Sequence, residues 1–310
     1  YGKTYRAMKR KDLQKCPAIN DPIDTYIWEP ISFLFAKGMA KRHWSPNVAT
    51  IISLICGVAG GAMFAFHNIW INIGGAILFL LAIIFDCSDG QIARLNHCGS
   101  LYGRMFDGFC DGLVYFAAYA GLAVHCMFDN IPFTDIQWGW WIFLIATPVC
   151  AWFHSRQARV ADYYKQVYMW IVGLHSELSR SEELEEQFKN DKEAGKLSFI
   201  NKISFKSYIS YTKQQEKETK GCQLLKQKIA ENGGVIPEGV AEEFKKHVWL
   251  FKLGNLETVN FRTFVLIGLL LAGLACWHFA FLIVILEPIN IILEIKTEKL
   301  AKKCAREYFK

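Results

Sequence analysis

The chain has 310 residues, 52% hydrophobic and 15% aromatic, with mean hydropathy +0.15. So much apolar surface excludes a disordered chain. Charged residues make up only 21%, below the average of about 25%, and the net charge of +6 forms no aromatic-interleaved basic stripe, so nucleic acid is not expected as a partner. The ten cysteines stand singly without a CxxC or CxxxC pair, which argues against a zinc site or a disulfide framework. Because the first residue is Tyr1 rather than Met, we expect a trimmed or processed N-terminus.

In chain order, Asp24–Arg42 mixes Trp28, Phe33 and Phe35 with Lys37, Lys41 and Arg42, the composition of an amphipathic helix lying in a membrane interface. Pro46 then opens the first of six apolar stretches: Asn47 to Phe66, Trp70 to Phe85, Met105 to Met127, Trp138 to Phe153, Thr263 to Cys276 and His278 to Leu293. Several approach the roughly 20 residues that cross a bilayer. No Lys or Arg lies in Trp44–Ala93, Phe106–Ser155 or Thr263–Ile295, so every basic residue fits on one side of the membrane, and the positive-inside rule makes that side cytoplasmic. Between the fourth and fifth stretches, about Ser176 to Lys246 is rich in Glu and Lys and reads as solvated helices, broken at Gly233-Gly234 and Pro237. Val240, Phe244, Val248 and Phe251 recur at helical spacing, which predicts one helix lying apolar side down on the membrane.

The expected fold is therefore all-α: a polytopic membrane protein with six transmembrane helices, an N-terminal interfacial helix and a helical cytoplasmic insertion between the fourth and fifth spans. The predicted divisions are 1–45, the N-terminal segment; 46–160, the first four spans; 161–257, the insertion; and 258–310, the last two spans with a basic tail.

Polar residues inside membrane segments are costly and become functional candidates. Asp86 and Asp89 are three apart near the end of the second stretch, and Asp107 and Asp111 are four apart at the start of the third. Each pair therefore shares a helix face, and turn formers at Asn96 and Gly99 predict an antiparallel return that brings all four to one depth. Four carboxylates together call for a counter-charge, and all-oxygen ligation favours Mg²⁺ or Mn²⁺ over zinc. Separate capping or pairing with Arg94 and Arg104 is the plainer alternative. Small residues surround the acids: Gly103 shares a face with Asp107 and Asp111, and Gly90 and Ala93 stand beside Asp89. Gly108 and Gly112 fit close helix packing equally well.

The run Asp86-x2-Asp89-Gly90-x2-Ala93-Arg94-x8-Gly103-x3-Asp107-x3-Asp111 resembles the signature of the CDP-alcohol phosphotransferase (CDP-alcohol phosphatidyltransferase) family at every fixed position. At about 5–8% usage per residue type, a chance match at a given start is of order 10⁻¹⁰. The resemblance covers roughly the first 160 residues and the six-span layout; the polar insertion departs from compact members. It implies that Asp86, Asp89, Asp107 and Asp111 bind two ions of Mg²⁺ or Mn²⁺, with Asp111 also the general base. It further implies CDP-donor contacts from Asn47, Val48, Ala49, Thr50, Gly90, Ala93, Arg94, Ser100 and Gly103. The reaction would move a substituted phosphoryl group from a CDP-linked donor to an alcohol hydroxyl and release CMP.

The signature does not separate CDP-diacylglycerol with a polar acceptor from a CDP-amino alcohol with a diacylglycerol or ceramide-like lipid. Arg156, Arg159 and Arg262 stand at the level of the acids and suit a phosphorylated acceptor such as inositol phosphate, though ordinary positive-inside anchoring explains each equally well. We therefore lean to CDP-diacylglycerol with a small polar or phosphorylated acceptor. A cation transporter lined by the four acids and an inactive scaffold are the readings from other classes. The expected setting is a bacterial cytoplasmic membrane, with the site, both termini and the insertion facing the cytoplasm, and the resemblance implies a homodimer.

Overall fold

The computed structural model describes residues 16–174 and 178–309; the first fifteen residues of the predicted N-terminal segment, and Ser176 at the expected start of the polar stretch, lie outside them. Among the described residues the chain is helical throughout, with one isolated antiparallel bridge between Asn130 and Gln137 and no strand.

A π-helical turn, Asp24–Trp28, runs into α1 (Glu29–Lys41). Then come α2 (Pro46–Met63), α3 (Ile69–Leu95) and α4 (Leu101–Cys126). Each of these three starts where a polar side chain caps free amides. Ser45 Oγ accepts from Asn47 N at 3.3 Å, Asn68 Oδ1 accepts from Trp70 N and Ile71 N, and Ser100 Oγ accepts from Gly103 N. These bonds replace partners that a first helical turn lacks.

Small residues let α2 approach both of its neighbours. A Cβ on Gly60 would sit 2.7 Å from Gly75 O, and one on Gly121 would sit 2.0 Å from Gly61 O. No rotamer relieves a clash with backbone, so Gly121→Ala forces α2 and α4 apart. We expect it to lower stability by at least about 1–3 kcal/mol, read as a fall in the unfolding midpoint in detergent.

On one side of this trio α1 lies along α3: Ser88 Oγ donates to Ser32 O at 3.1 Å and Gln91 Nε2 to Ser32 Oγ at 2.9 Å. The opposite face of the same segment exposes Tyr26, Ile31, Leu34 and Phe35, the apolar face expected of an interfacial helix. On the other side pack α5 (Thr147–Ile171), entered through the π-helical turn Ile142–Ala146, and later α11 (Val259–Leu271). The last helix is one continuous run of α12 (Trp277–Phe281), the π-helical turn Leu282–Leu286 and α13 (Glu287–Glu307).

Among the described residues, four helices are long and apolar enough to cross a membrane: Pro46–Met63, Ile69–Leu95, Leu101–Cys126 and Trp277–Glu307. Half or less of each apolar stretch is covered by protein, and side chains such as Ile55, Ile77, Phe116 and Val284 point outward. Outward apolar side chains in such numbers fit lipid as the surrounding solvent. Of the six expected spans, the fourth lies in the first half of the helix ending at Ile171, whose second half is polar, and the fifth corresponds to the 13-residue α11.

The polar stretch contains α6 (Ser181–Glu193), α7 (Phe199–Glu218), α8 (Lys220–Glu231), α9 (Glu238–Lys246) and α10 (Val248–Leu253), followed by a 3₁₀ turn, Gly254–Glu257. The expected break is present, with Gly233 and Gly234 at φ +71° and +81°. The predicted membrane-facing helix is not. His247 separates α9 from α10, and Val240, Phe244 and Phe251 are buried against Tyr168, Leu225 and Ala301 of α5, α8 and α13. That apolar stripe is the core of a helical bundle to which α5 and α13 contribute their polar-end halves. A sequence pattern reports that a face is apolar and leaves open whether protein or lipid covers it.

Candidate active site

The four aspartates meet where α3 ends and α4 begins. The link between them reverses at His97, which takes φ +51°, rather than at Gly99. Carboxylate oxygens of Asp86, Asp89 and Asp107 lie within 4.8 Å of one another. Asp107 is within hydrogen-bonding reach of both Asp86 and Asp89, and Asp111 of Asp86. Asp89 is buried and the other three are half-buried.

Carboxylates this close need protons or cations between them. Among the described residues no Lys, Arg or His forms an ion pair with any of the four. Asp107 Oδ1 is buried and accepts no hydrogen bond. An all-oxygen donor set with no basic side chain in ion-pair contact fits hard divalent ions.

The first turn of α2 supplies the surrounding wall. Thr50 Oγ1 donates to Asp89 Oδ2 at 2.5 Å, which fixes one oxygen and leaves the other free to ligate. Thr50→Val is expected to weaken activation by divalent ions about 10–100-fold, with Thr50→Ser close to wild type, measured as the metal concentration giving half-maximal CMP release. Asn47 Oδ1 lies 3.8 Å from where a Gly103 Cβ would be, so the first turns of α2 and α4 come together, one turn before Asp107. Gly90 leaves room for the Arg94 guanidinium, whose Nη1 would be 3.4 Å from a Cβ there.

Thr50, Gly90 and Arg94 thus stand beside Asp89, while Asn47, Ser100 and Gly103 meet at the starts of α2 and α4, with Ser100 engaged as the α4 cap. Of the other expected donor contacts, Val48 is exposed and Ala49 is buried among Ala36 and Met39 of α1. Ala93 is half-buried on α3, one turn beyond Asp89. Among the described residues, nothing beyond the helix's own turn lies within 4 Å of a Cβ at Gly108 or Gly112, so helix packing among them does not account for these glycines.

The three arginines considered for the acceptor already have acidic partners. Arg156 pairs with Glu287 at 2.6 Å and with Glu294; Arg159 pairs with Glu218 at 2.7 Å. Arg262 is 1% exposed, pairs with Glu257 at 2.9 Å and donates to His154 O and Gln157 Oε1. Sequence distance hid Glu287 and Glu218, which come from other helices, whereas Glu257 stands only five residues before Arg262.

Sequence reading also missed a wall formed by the insertion. Tyr102 on the first turn of α4 donates to Asp191 Oδ2 at 2.5 Å, and Met105 packs with Leu184, Phe205 and Ile209 of α6 and α7. The available signal was apolar spacing, Leu184 with Phe188 and Phe205 with Ile209, inside an otherwise charged stretch.

Residues 43–163 match the family model described as CDP-alcohol phosphatidyltransferase, and the matched segment contains both acid pairs and the facing turn of α2. This part of the chain belongs to the CDP-alcohol phosphatidyltransferase family. The chain is 34% identical over 88 residues to a CDP-diacylglycerol–glycerol-3-phosphate 3-phosphatidyltransferase of Cereibacter sphaeroides, covering 26% of this chain and 40% of that protein. It is also similar to proteins named phosphatidylinositol phosphate synthase. That of Mycobacterium tuberculosis is 28% identical over 111 residues, 36% of this chain and 48% of the relative, and that of Corynebacterium glutamicum is 34% identical over 98 residues, 31% and 41%. The chain thus matches less than half the length of each of these relatives. No solved structure matches it.

Proposed function

We propose that this protein transfers a phosphatidyl group from CDP-diacylglycerol to the hydroxyl of a small polar alcohol, foremost inositol phosphate, releasing CMP. The observation that carries this reading is the convergence of the four signature aspartates, without basic partners, inside the segment that matches the family. The names of the relatives, a glycerol-3-phosphate transferase and phosphatidylinositol phosphate synthases, support a phosphorylated polar acceptor.

Asp86, Asp89, Asp107 and Asp111 would hold two ions of Mg²⁺ or Mn²⁺, which supply charge neutralisation and alignment at the pyrophosphate. Asp111 accepts the proton of the acceptor hydroxyl as the new P–O bond forms and the bond to the CMP oxygen breaks. Thr50 holds Asp89 in its ligating rotamer. Arg94, beside Gly90, adds positive charge next to the phosphates.

We place the site in the cytoplasmic boundary of the membrane, where a water-soluble acceptor meets a lipid donor. The absence of Lys and Arg from the connections at the far end supports this orientation, and the exposed Trp70, Trp140 and Trp141 there suit a membrane–water interface. The outward-facing Leu144, Val149 and Trp152 ahead of the polar half of α5, and Val259 and Phe264 on α11, support two short further spans and hence six in all. We also propose that the chain works as a homodimer, as the family resemblance implies.

The test is CMP release by the purified chain in detergent, with CDP-diacylglycerol and a panel of inositol phosphate, glycerol phosphate, inositol and serine. Chelation is expected to abolish release, and Mn²⁺ or Mg²⁺ to restore it. Release only from CDP-ethanolamine or CDP-choline with a diacylglycerol would exchange the lipid from donor to acceptor. No release from any pair would overturn the reading.

A further inference from the structure

We propose that Cys126, Asp129 and Cys276 form a second metal site, for a thiophilic divalent ion of the zinc class, at the end of the bundle opposite the four aspartates. Cys126 ends α4, and at about 1.5 Å rise per residue it stands some 20 Å along that helix from Asp111.

The sequence shows no zinc-ligand spacing that includes Cys276, which lies 147 residues beyond Asp129. The fold brings them together. After α4 the chain makes a tight turn in which Asp129 N donates to Cys126 O at 3.0 Å, so the two side chains stand one turn apart. Trp138 N donating to Asp129 O at 3.0 Å and the bridge from Asn130 to Gln137 hold that loop. Opposite it, Gly273 takes φ +71° and reverses the chain after α11, which sets Cys276 at the head of α12.

The three donor atoms lie within 4.8 Å of one another. The Cys126 and Cys276 thiols are within hydrogen-bonding reach, and Cys276 Sγ is 3.6 Å from Asp129 Oδ2. Tetrahedral zinc with bonds of about 2.3 Å to sulfur and 2.0 Å to oxygen has an S···O edge of about 3.5 Å. The observed spacing already matches that edge.

Two thiolates select a zinc-class ion over Mg²⁺ or Mn²⁺, so the site is chemically distinct from the all-oxygen centre. Both thiols are buried, and a cavity of about 160 Å³ lined by Asp129, Gly273, Cys276 and Trp277 opens beside Cys276 and Asp129. It has room for water as a fourth ligand. Binding displaces two thiol protons and ties the end of α4 to the turn between α11 and α12.

The test is a Co²⁺ titration of the purified full chain under reducing conditions. Sulfur-to-cobalt charge transfer reports thiolate ligation, and an all-oxygen centre does not produce it. We expect saturation at one such ion per chain and displacement by Zn²⁺. The signal should vanish in Cys126→Ser and Cys276→Ser and survive in Asp111→Asn and Cys98→Ala. Asp129→Asn, which leaves both thiols in place, should weaken Co²⁺ binding about tenfold or more while keeping the band. No band in the wild type, a band that persists in Cys276→Ser, or a Cys126–Cys276 disulfide found by mass spectrometry in the protein as purified would each overturn the proposal.

Discussion

Asp111→Asn is expected to lower the turnover of CMP release by about 10²–10⁴-fold, the usual contribution of a positioned base, and to leave binding of the CDP-linked donor largely intact. Asparagine keeps the size and one ligand oxygen of the side chain but cannot take the acceptor proton. Asp107→Asn should behave differently. Asp107 reaches both Asp86 and Asp89, so its loss should raise the metal concentration required as well as lowering turnover. Activity against Mn²⁺ concentration for the two variants separates the roles. If excess Mn²⁺ restores Asp111→Asn to wild-type turnover, Asp111 is a ligand only and the base lies elsewhere.

Arg262→Met is expected to destabilise the fold by about 3–5 kcal/mol, because it leaves the Glu257 carboxylate, 1% exposed, without its counter-ion. Arg262 also ties Gln157 of α5 and the carbonyl of His154 to the start of α11, so the loss should appear as a lower unfolding midpoint in detergent. The double variant Arg262→Met/Glu257→Leu should recover much of the loss.

The deficit of the single variant should also depend on pH. Burial pushes the Glu257 carboxyl up to about 7, against the opposing pull of Arg262, and removing the arginine moves it higher. A carboxyl whose folded pKa is raised contributes stability that is present below its unfolded pKa and is lost as pH rises through the folded value. The wild type completes that loss near pH 7, whereas the variant continues to lose stability above it. The gap between them should therefore widen from pH 6 to pH 8.5. If Arg262 instead serves the acceptor, the variant should unfold like the wild type and show only a raised KM for the alcohol.

The acid centre could be read from the chain because it is local. Asp86 and Asp89 repeat on one face of α3, Asp107 and Asp111 on one face of α4, and the link between them is too short to send the helices apart. Helical periodicity converts that spacing into shared faces without tertiary information. The apolar stretches and the segregation of Lys and Arg were equally local, and they led to the helical membrane architecture directly.

Partners far apart in sequence were decided only by the tertiary structure. Arg156 and Arg159 looked like free cations because Glu287 and Glu218, 131 and 59 residues away, gave no sign of facing them, and pairing across helices depends on how the helices pack. The stripe Val240, Phe244 and Phe251 announced an apolar face, but the packing of α5, α8 and α13 determined that protein rather than lipid covers it. Cys126 and Cys276 read as isolated cysteines until the reversal at Gly273 set them side by side. What the sequence by itself determined was what helical period and short links can carry: the helices, their apolar faces and the four-aspartate cluster. What only the tertiary structure decided was every contact that requires one helix to meet another distant in the chain, since such contacts follow from packing of whole surfaces rather than from residue spacing.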